Sequence, residues 1–164
     1  MTLNLPYEEL HEGARFRTRG RTITEADVVA FAGRTGDWHP QHSDAVWAAS
    51  SQFGERIAHG MLVLSYAVGL VRFDPDRVVA LRRIADAVFK RPVRLGDTIS
   101  VRGSIDSCKP VADDGGLVTL AIRVLNQDDE TVARARVEVV WKRETDPIAP
   151  SEDVATGGFV PIPL

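Results

Sequence analysis

The sequence has little cysteine and no excess of positive charge. Cys108 is the single cysteine among 164 residues, so no disulfide can form within the chain, and one free thiol fits a reducing compartment. Twenty Lys and Arg residues face 23 Asp and Glu residues, for a net charge of −3. Proteins that bind nucleic acid concentrate basic residues in a stripe or patch. The arginines here are dispersed among acids along the chain, which disfavours that class.

Long hydrophobic runs are missing as well. The longest, Met61 to Val71, is interrupted by Ser65 and is about half of the ~20 residues that a membrane crossing requires. The first ten residues include Glu8 and Glu9 and lack the basic start and apolar run of a secretory signal. We therefore expect no membrane association and a cytoplasmic location.

Helix signals dominate the first half of the chain. Thr24, with Asp27 three residues on, predicts a capped helix that stops at Gly36. Ser43 predicts the cap of a second short helix, from Asp44 to about residue 51. A third helix is expected from His59 or Gly60 to about residue 71; it is apolar on every side, which is typical of a helix buried all round.

The second half changes to strand periodicity. Apolar residues alternate with polar ones in three segments, and two further segments are less regular strands. One buried helix followed by about four antiparallel strands indicates an α+β fold, with a curved sheet around that helix. We expect a single domain over residues 1–145 and a tail, 146–164, extended or packed on a partner subunit. The regular strands are 98–105, 118–124 and 133–141; the less regular ones are Leu81 to Phe89 and Arg15 to Ile23.

A polar loop, residues 36–44, holds two histidines and two carboxylates. Pro40 prevents a continuous helix there, so a turn can bring Asp37 and His42 together. A carboxylate and an imidazole that share one water form a general acid/base pair. One group takes a proton from the water, and the other supplies a proton to the product carbon or the leaving hydroxyl.

The segment 53–61 leads into the buried helix. The first turn of a helix has free N–H groups and a partial positive charge. Aimed at a thioester oxygen, these groups stabilise the enolate that forms when water adds to the β-carbon. Gly60 allows close approach to the backbone. Ser65 lies one to two turns further on, within reach of Asp37 or the substrate, or of the carbonyl four residues earlier.

These motifs together resemble the hydratase motif of the MaoC-like family, which includes the (R)-specific enoyl-CoA hydratases. The resemblance covers roughly residues 10 to 142. It implies a hot-dog fold, usually dimeric with the site between subunits. The segments that carry it are Thr35-Gly-Asp-Trp-His-Pro-Gln-His42, Phe53-Gly54, Ile57-Ala-His-Gly-Met61 with Ser65, and Phe89-Lys-Arg-Pro-Val-Arg-Leu-Gly-Asp-Thr98.

The resemblance also implies roles for single residues. Asp37 and His42 would hold the catalytic water, the Gly60 N–H would face the thioester oxygen, and Ser65 would support the aspartate loop. His39 stands where the family commonly has Asn. Candidates for the oxyanion or substrate site are Gly60, Ser65, His59 and His39, the two histidines having structural roles as alternatives. Candidates for the phosphates of coenzyme A are Lys90, Arg91 and Arg94, which are otherwise solvated surface.

The sequence therefore predicts a hydro-lyase of fatty-acid metabolism that reversibly hydrates trans-2-enoyl-CoA to (R)-3-hydroxyacyl-CoA. No organic cofactor or metal is expected, and coenzyme A is favoured over acyl carrier protein. A metal site of His42 and Asp44 with His39 or His59 conflicts with a helix starting at Asp44. The alternatives are a hot-dog acyl-CoA thioesterase and a non-catalytic acyl-CoA-binding or assembly subunit. We expect a homodimer or a higher oligomer of dimers.

Overall fold

The computed structural model describes residues 3–112 and 115–143. Its six strands form one antiparallel sheet with the order β1-β4-β5-β6-β3, and β2 pairs with β4. The strands are β1 (Arg15–Arg17), β2 (Arg21–Thr22), β3 (Val78–Phe89), β4 (Thr98–Ala112), β5 (Gly115–Leu125) and β6 (Thr131–Lys142).

Four helices precede most of the sheet: α1 (Glu25–Thr35), α2 (Pro40–Ser43), α3 (Ala45–Ala49) and α4 (Gly60–Leu70). The boundaries predicted for α1 are confirmed. Thr24 and Asp27 form a capping box, which satisfies backbone N–H groups that a helix start leaves free. Gly36 ends the helix in the left-handed conformation, at φ 78°, where glycine carries no steric cost.

The second helix differs from the prediction. Pro40 occupies the first position of α2, where the missing N–H of proline costs nothing. The cap of α3 is Asp44, whose carboxylate accepts from the N–H groups of Val46 and Trp47. Ser43 instead donates to the carbonyls of Trp38 and His39. The polar loop is thus partly helical, because the proline interrupts the chain without preventing a new helical turn.

The core lies between α4 and one face of the sheet. Leu62, Val63, Leu64 and Ala67 of α4 are buried and belong to one cluster with the inward residues of β4, β5 and β6. The predicted hot-dog arrangement of a sheet packed around one apolar helix is confirmed. The expectation that α4 is buried all round is wrong for the single chain, since Met61 is 55% exposed and Ser65 is exposed.

Two other expectations need correction. The segment 15–23 forms two short strands, β1 and β2, both paired with β4. The predicted strands 98–105 and 118–124 are both longer than expected, because β4 continues to Ala112 and β5 begins at Gly115. The predicted tail, 146–164, lies outside the described residues. In the described part of the chain, no helix is both apolar and long enough to span a membrane.

One edge of the sheet is apolar and exposed. Strand β3 is the last in the order and pairs only with β6 among the described strands. A free edge presents unpaired N–H and C=O groups, which favour pairing with another chain. Large apolar side chains on this strand are about two-fifths to one-half exposed. They are Val79, Leu81, Ile84, Val88 and Phe89.

Candidate active site

The loop after α1 is held against the segment before α4 by backbone and side-chain hydrogen bonds. Gln41 is buried; its side chain donates to the Glu55 carbonyl at 2.9 Å, and its carbonyl accepts from the Ile57 N–H at 3.2 Å. The Ala58 N–H in turn donates to the carbonyl of Val93 at 2.8 Å. These bonds fix the two segments that carry the predicted site residues relative to each other.

The hydrogen bond of His42 defines its tautomer. Nδ1 lies 2.7 Å from the carbonyl oxygen of Ile57. A carbonyl only accepts, so Nδ1 carries the proton, and in the neutral ring Nε2 is a proton acceptor. Burial lowers the pKa of His42; the bond to Ile57 and the charge of Asp37 oppose this shift, and His59 adds to it. A neutral imidazole with a free Nε2 is suited to act as a general base.

Asp37 lies beside His42, as the predicted turn requires. Asp37, His42 and His59 each place a side-chain ligand atom within 4.8 Å of the others. One water can bridge such a gap, because two hydrogen bonds of about 2.8 Å span it. The loop also organises Asp37 itself, since one carboxylate oxygen accepts from the His39 N–H at 3.3 Å. The structure therefore brings together the two side chains proposed to handle water.

His59 contacts both the backbone of Asp37 and the ring of His42. It is 2% exposed, and its Nε2 donates to the backbone carbonyl of Asp37 at 2.9 Å. Its ring stacks on that of His42 with centroids 3.8 Å apart, and Phe31 contacts it at 5.0 Å. Nδ1 of His59 is buried without a hydrogen-bond partner among the described residues. This placement makes His59 a packing and positioning residue of the loop.

The N-terminus of α4 opens beside His42. Gly60 is the first residue of this helix, and no side chain caps the helix start. The N–H groups of the first turn have no partner within a helix. A Cβ on Gly60 would lie 3.0 Å from ring atoms of Phe89. Glycine here leaves both the amide and the space in front of it open.

A cavity of about 270 Å³ joins these groups. His42 and Gly60 both line it, so the general-base candidate and the helix terminus face the same space. Most of the other lining side chains are apolar, which suits an acyl chain. They are Phe53, Ile57, Ala58, Val63, Phe89, Pro92, Val93 and Val132, together with Lys90 and Arg91.

The three basic residues proposed for coenzyme A separate into two groups. Lys90 and Arg91 line the cavity, and Arg91 also lies 3.5 Å from Glu130. Arg94 does not line it and forms an ion pair with Glu55 at 2.7 Å. Only the first two are placed to meet a charged group at the cavity.

His39 and Ser65 make local structural hydrogen bonds, which were the alternatives to a role in the oxyanion or substrate site. Nδ1 of His39 accepts from the Gln41 N–H at 3.1 Å and caps α2, which explains why an acceptor is required at this position. Ser65 donates to the Met61 carbonyl at 2.7 Å, the bond typical of serine within a helix. The expected support of the aspartate loop by Ser65 is not present in the single chain.

The metal alternative finds little support in the geometry. Asp44 is occupied in capping α3, so it does not pair with His42. Asp37, His42 and His59 are close enough to be tested as a ligand set. The rings of His42 and His59, however, stack on each other with centroids 3.8 Å apart, and His59 already uses its Nε2 to bond the backbone carbonyl of Asp37.

Sequence reasoning missed the residues that orient the site rather than react. The carbonyl of Ile57 sets the His42 tautomer, and the buried amide of Gln41 ties the two segments together. Every residue has a backbone carbonyl, so the sequence does not show which carbonyl a side chain will contact. The position of Gln41 between Pro40 and His42 was the only available signal.

The fold is that of a hot-dog protein, with a candidate acid/base site at the start of its central helix. A family model described as the MaoC like domain matches residues 8–128. The chain belongs to this family, whose named relatives include hydratases and dehydratases of acyl-CoA.

Individual relatives agree with this assignment. The chain is 33% identical over 137 residues to a 3-hydroxybutyryl-CoA dehydratase of Methylorubrum extorquens, covering 79% of this chain and 81% of that protein. The R-hydratase PhaJ1 of Pseudomonas aeruginosa superposes with a TM-score of 0.71 at 33% identity, covering 98% of this chain and 97% of that one. Protein MaoC of Klebsiella aerogenes is 43% identical over 97 residues, 58% of this chain, but the match spans only 29% of that longer protein.

Proposed function

We propose that this protein reversibly hydrates trans-2-enoyl-CoA to (R)-3-hydroxyacyl-CoA, with Asp37 and His42 acting on one water. The observation that carries the proposal is the Nδ1 bond of His42 to Ile57. It leaves Nε2 as the proton acceptor of a neutral ring, close to a carboxylate and facing an apolar cavity that also contains Gly60. Relatives described as 3-hydroxybutyryl-CoA dehydratase and (R)-specific enoyl-CoA hydratase support the same reaction class.

In the hydration direction, Nε2 of His42 takes a proton from the water as the water oxygen bonds to C3 of the enoyl group. Asp37 accepts the second hydrogen bond of the water and stabilises the imidazolium that forms. The C2–C3 double-bond electrons move toward the thioester carbonyl. The proton on His42 then returns to C2, so the elements of one water are added and both residues regain their starting states.

The charge that develops on the thioester oxygen meets the start of α4. The uncapped N–H groups of the first turn, beginning at Gly60, are fixed before the reaction and are aligned with the positive end of the helix dipole. Such preorganised donors stabilise an enolate more than a neutral carbonyl, which lowers the barrier.

The pH dependence follows from the state of His42. Burial lowers its pKa, so the active neutral form persists below the ordinary histidine value of about 6.5. We expect the acid limb of kcat/KM to have its midpoint below that value. Asp37 raises the pKa of His42, so Asp37→Asn is expected to move the His42 titration, followed by NMR, to still lower pH. A midpoint above the ordinary value, or an upward shift in the variant, would contradict this role.

We further propose that the functional unit is a homodimer formed along β3. The unpaired edge, the exposed apolar side chains of that strand and exposed Met61 on α4 form a surface that a second copy would cover. Phe89 lies at its end and lines the cavity, so dimerisation would complete the site. Light scattering is expected to give twice the chain mass of 18.0 kDa; a monomer with full activity would contradict this proposal.

The reaction itself is tested with crotonyl-CoA and butyryl-CoA. Loss of enoyl absorbance, with chiral analysis giving the (R)-3-hydroxy product, is the expected result for the first substrate. Release of free thiol from the saturated second substrate is the result expected of a thioesterase. Tight binding of both substrates without turnover would indicate an acyl-binding subunit.

A further inference from the structure

Four arginines form a continuous row across the outer face of the sheet. In the strand register, Arg17 is opposite Arg102, Arg102 is opposite Arg123, and Arg123 is opposite Arg134. Adjacent strands lie about 4.7–4.9 Å apart, so this row places one guanidinium on each of four neighbouring strands. Along the chain these arginines are dispersed among acids; the sheet brings them together.

The neighbouring row on the same face has smaller side chains at its centre. It is offset from the arginine row by two residues along each strand. In this row Arg15 is opposite Ser104, Ser104 is opposite Ala121, and Ala121 is opposite Arg136. Small side chains at the two central positions leave a hollow, with Arg15 at one end and Arg136 at the other. The row of Arg17, Arg102, Arg123 and Arg134 forms one side of this hollow.

All six arginines line this hollow, which is open to solvent and has a volume of about 1230 Å³. They alternate along the strands with the core residues of β1, β4, β5 and β6, so they lie on the face of the sheet opposite the core. Asp86 is the only acid in its lining. The concentration of positive charge is local, because the whole chain carries a net charge of −3.

Most of this charge is not neutralised by the described residues. Arg136 is paired with Asp86 at 2.7 Å and with Asp106 at 3.2 Å, and Arg102 with Asp129 at 2.6 Å. Arg15, Arg17, Arg123 and Arg134 form no ion pair with a described acid. Like charges directly opposite each other destabilise a sheet. A row of this kind therefore has a cost in folding that an anion bound above it would relieve.

We propose that this hollow is a second site, which binds a small anion carrying two or more phosphate groups. Guanidinium groups bind phosphate through paired, charge-assisted hydrogen bonds. The width of the arginine row matches several adjacent phosphates better than one, and Ser104 adds a hydroxyl on the floor. A hollow floored by small residues and bounded by an arginine at each end favours a compact anion over a long polymer. The proposal does not rest on the hydratase activity.

The test is calorimetric titration of the full chain with inorganic pyrophosphate and with ADP, at fixed ionic strength. We expect one binding site, and a melting temperature that rises with pyrophosphate beyond the effect of sodium chloride at equal ionic strength. In the double variant Arg123→Gln/Arg134→Gln, both ligands are expected to bind at least about tenfold more weakly. Without ligand, this variant is expected to melt no lower than the wild type, since opposed like charges are removed.

The matched control is Arg19→Gln/Arg34→Gln, which changes the charge equally at exposed positions outside the hollow. It is expected to bind pyrophosphate like the wild type. Equal affinity in both double variants, or no pyrophosphate binding by the wild type, would overturn the proposal. Binding of a poly-glutamate peptide or of a single-stranded oligonucleotide without binding of pyrophosphate would also overturn it, in favour of a macromolecular partner.

Discussion

Replacing His42 by glutamine is expected to lower kcat for crotonyl-CoA by about a hundred- to ten-thousand-fold, the usual contribution of a general base. KM should change little, because the apolar lining of the cavity is retained. Glutamine keeps a donor that can reach the Ile57 carbonyl, which His42 contacts at 2.7 Å. It removes the basic nitrogen, together with the ring that stacks on His59. Because the bond to Ile57 is kept, the loss reports mainly on proton transfer, and a control in the same loop measures the effect of altered packing.

The matched control for this variant is His39→Asn, in the same loop. Nδ1 of His39 caps α2 by accepting from the Gln41 N–H, and an asparagine side chain is an equally good cap. Its activity is expected to remain within a few-fold of the wild type. A loss in His39→Asn as large as that in His42→Gln would show that the loop responds to any change, and the special role of His42 would be contradicted.

The second large effect is expected at Gly60. Alanine keeps the backbone N–H of this position, but its methyl group is expected to obstruct the approach of the thioester oxygen. Gly60→Ala should therefore lower kcat by about a hundred- to a thousand-fold, as much as the loss of one donor of an oxyanion site. The same methyl group would also lie 3.0 Å from the ring of Phe89, so a packing effect has to be separated from an effect on catalysis.

A paired variant makes that separation. Phe89→Leu removes the ring that the new methyl group would meet, so combining it with Gly60→Ala should restore thermal stability. If the amide acts on the substrate, the double variant should remain as slow as Gly60→Ala alone. Recovery of activity along with stability would show that Gly60 serves only to pack against Phe89.

Local signals in the sequence predicted much of the fold. The capping residues Thr24 and Asp27 and the terminal Gly36 marked α1 correctly, because capping depends on neighbours within one turn. The apolar run beginning at Gly60 marked α4, and two-residue alternation marked β4, β5 and β6. Pro40 was misjudged, because a proline that interrupts one helix can also begin the next one.

Features that depend on pairing between distant strands were not predictable. The row formed by Arg17, Arg102, Arg123 and Arg134 requires the register of four strands, which no local pattern contains. Similarly, the sequence placed His59 next to Gly60 but did not show that its ring stacks on His42 and bonds to the loop. The exposed side of α4 was also not predictable, because a helical pattern that is apolar all round does not show which side the sheet of the same chain leaves uncovered.

The claim that Asp37 and His42 act on the same water is tested most directly by a double-mutant cycle. The rates of crotonyl-CoA hydration by Asp37→Asn, His42→Gln and the double variant are compared with the wild type. Residues that act as one unit are strongly non-additive, so the double variant should be within about tenfold of the slower single variant. Two losses that multiply would instead mean that the side chains act independently, and the account of a shared water would be wrong.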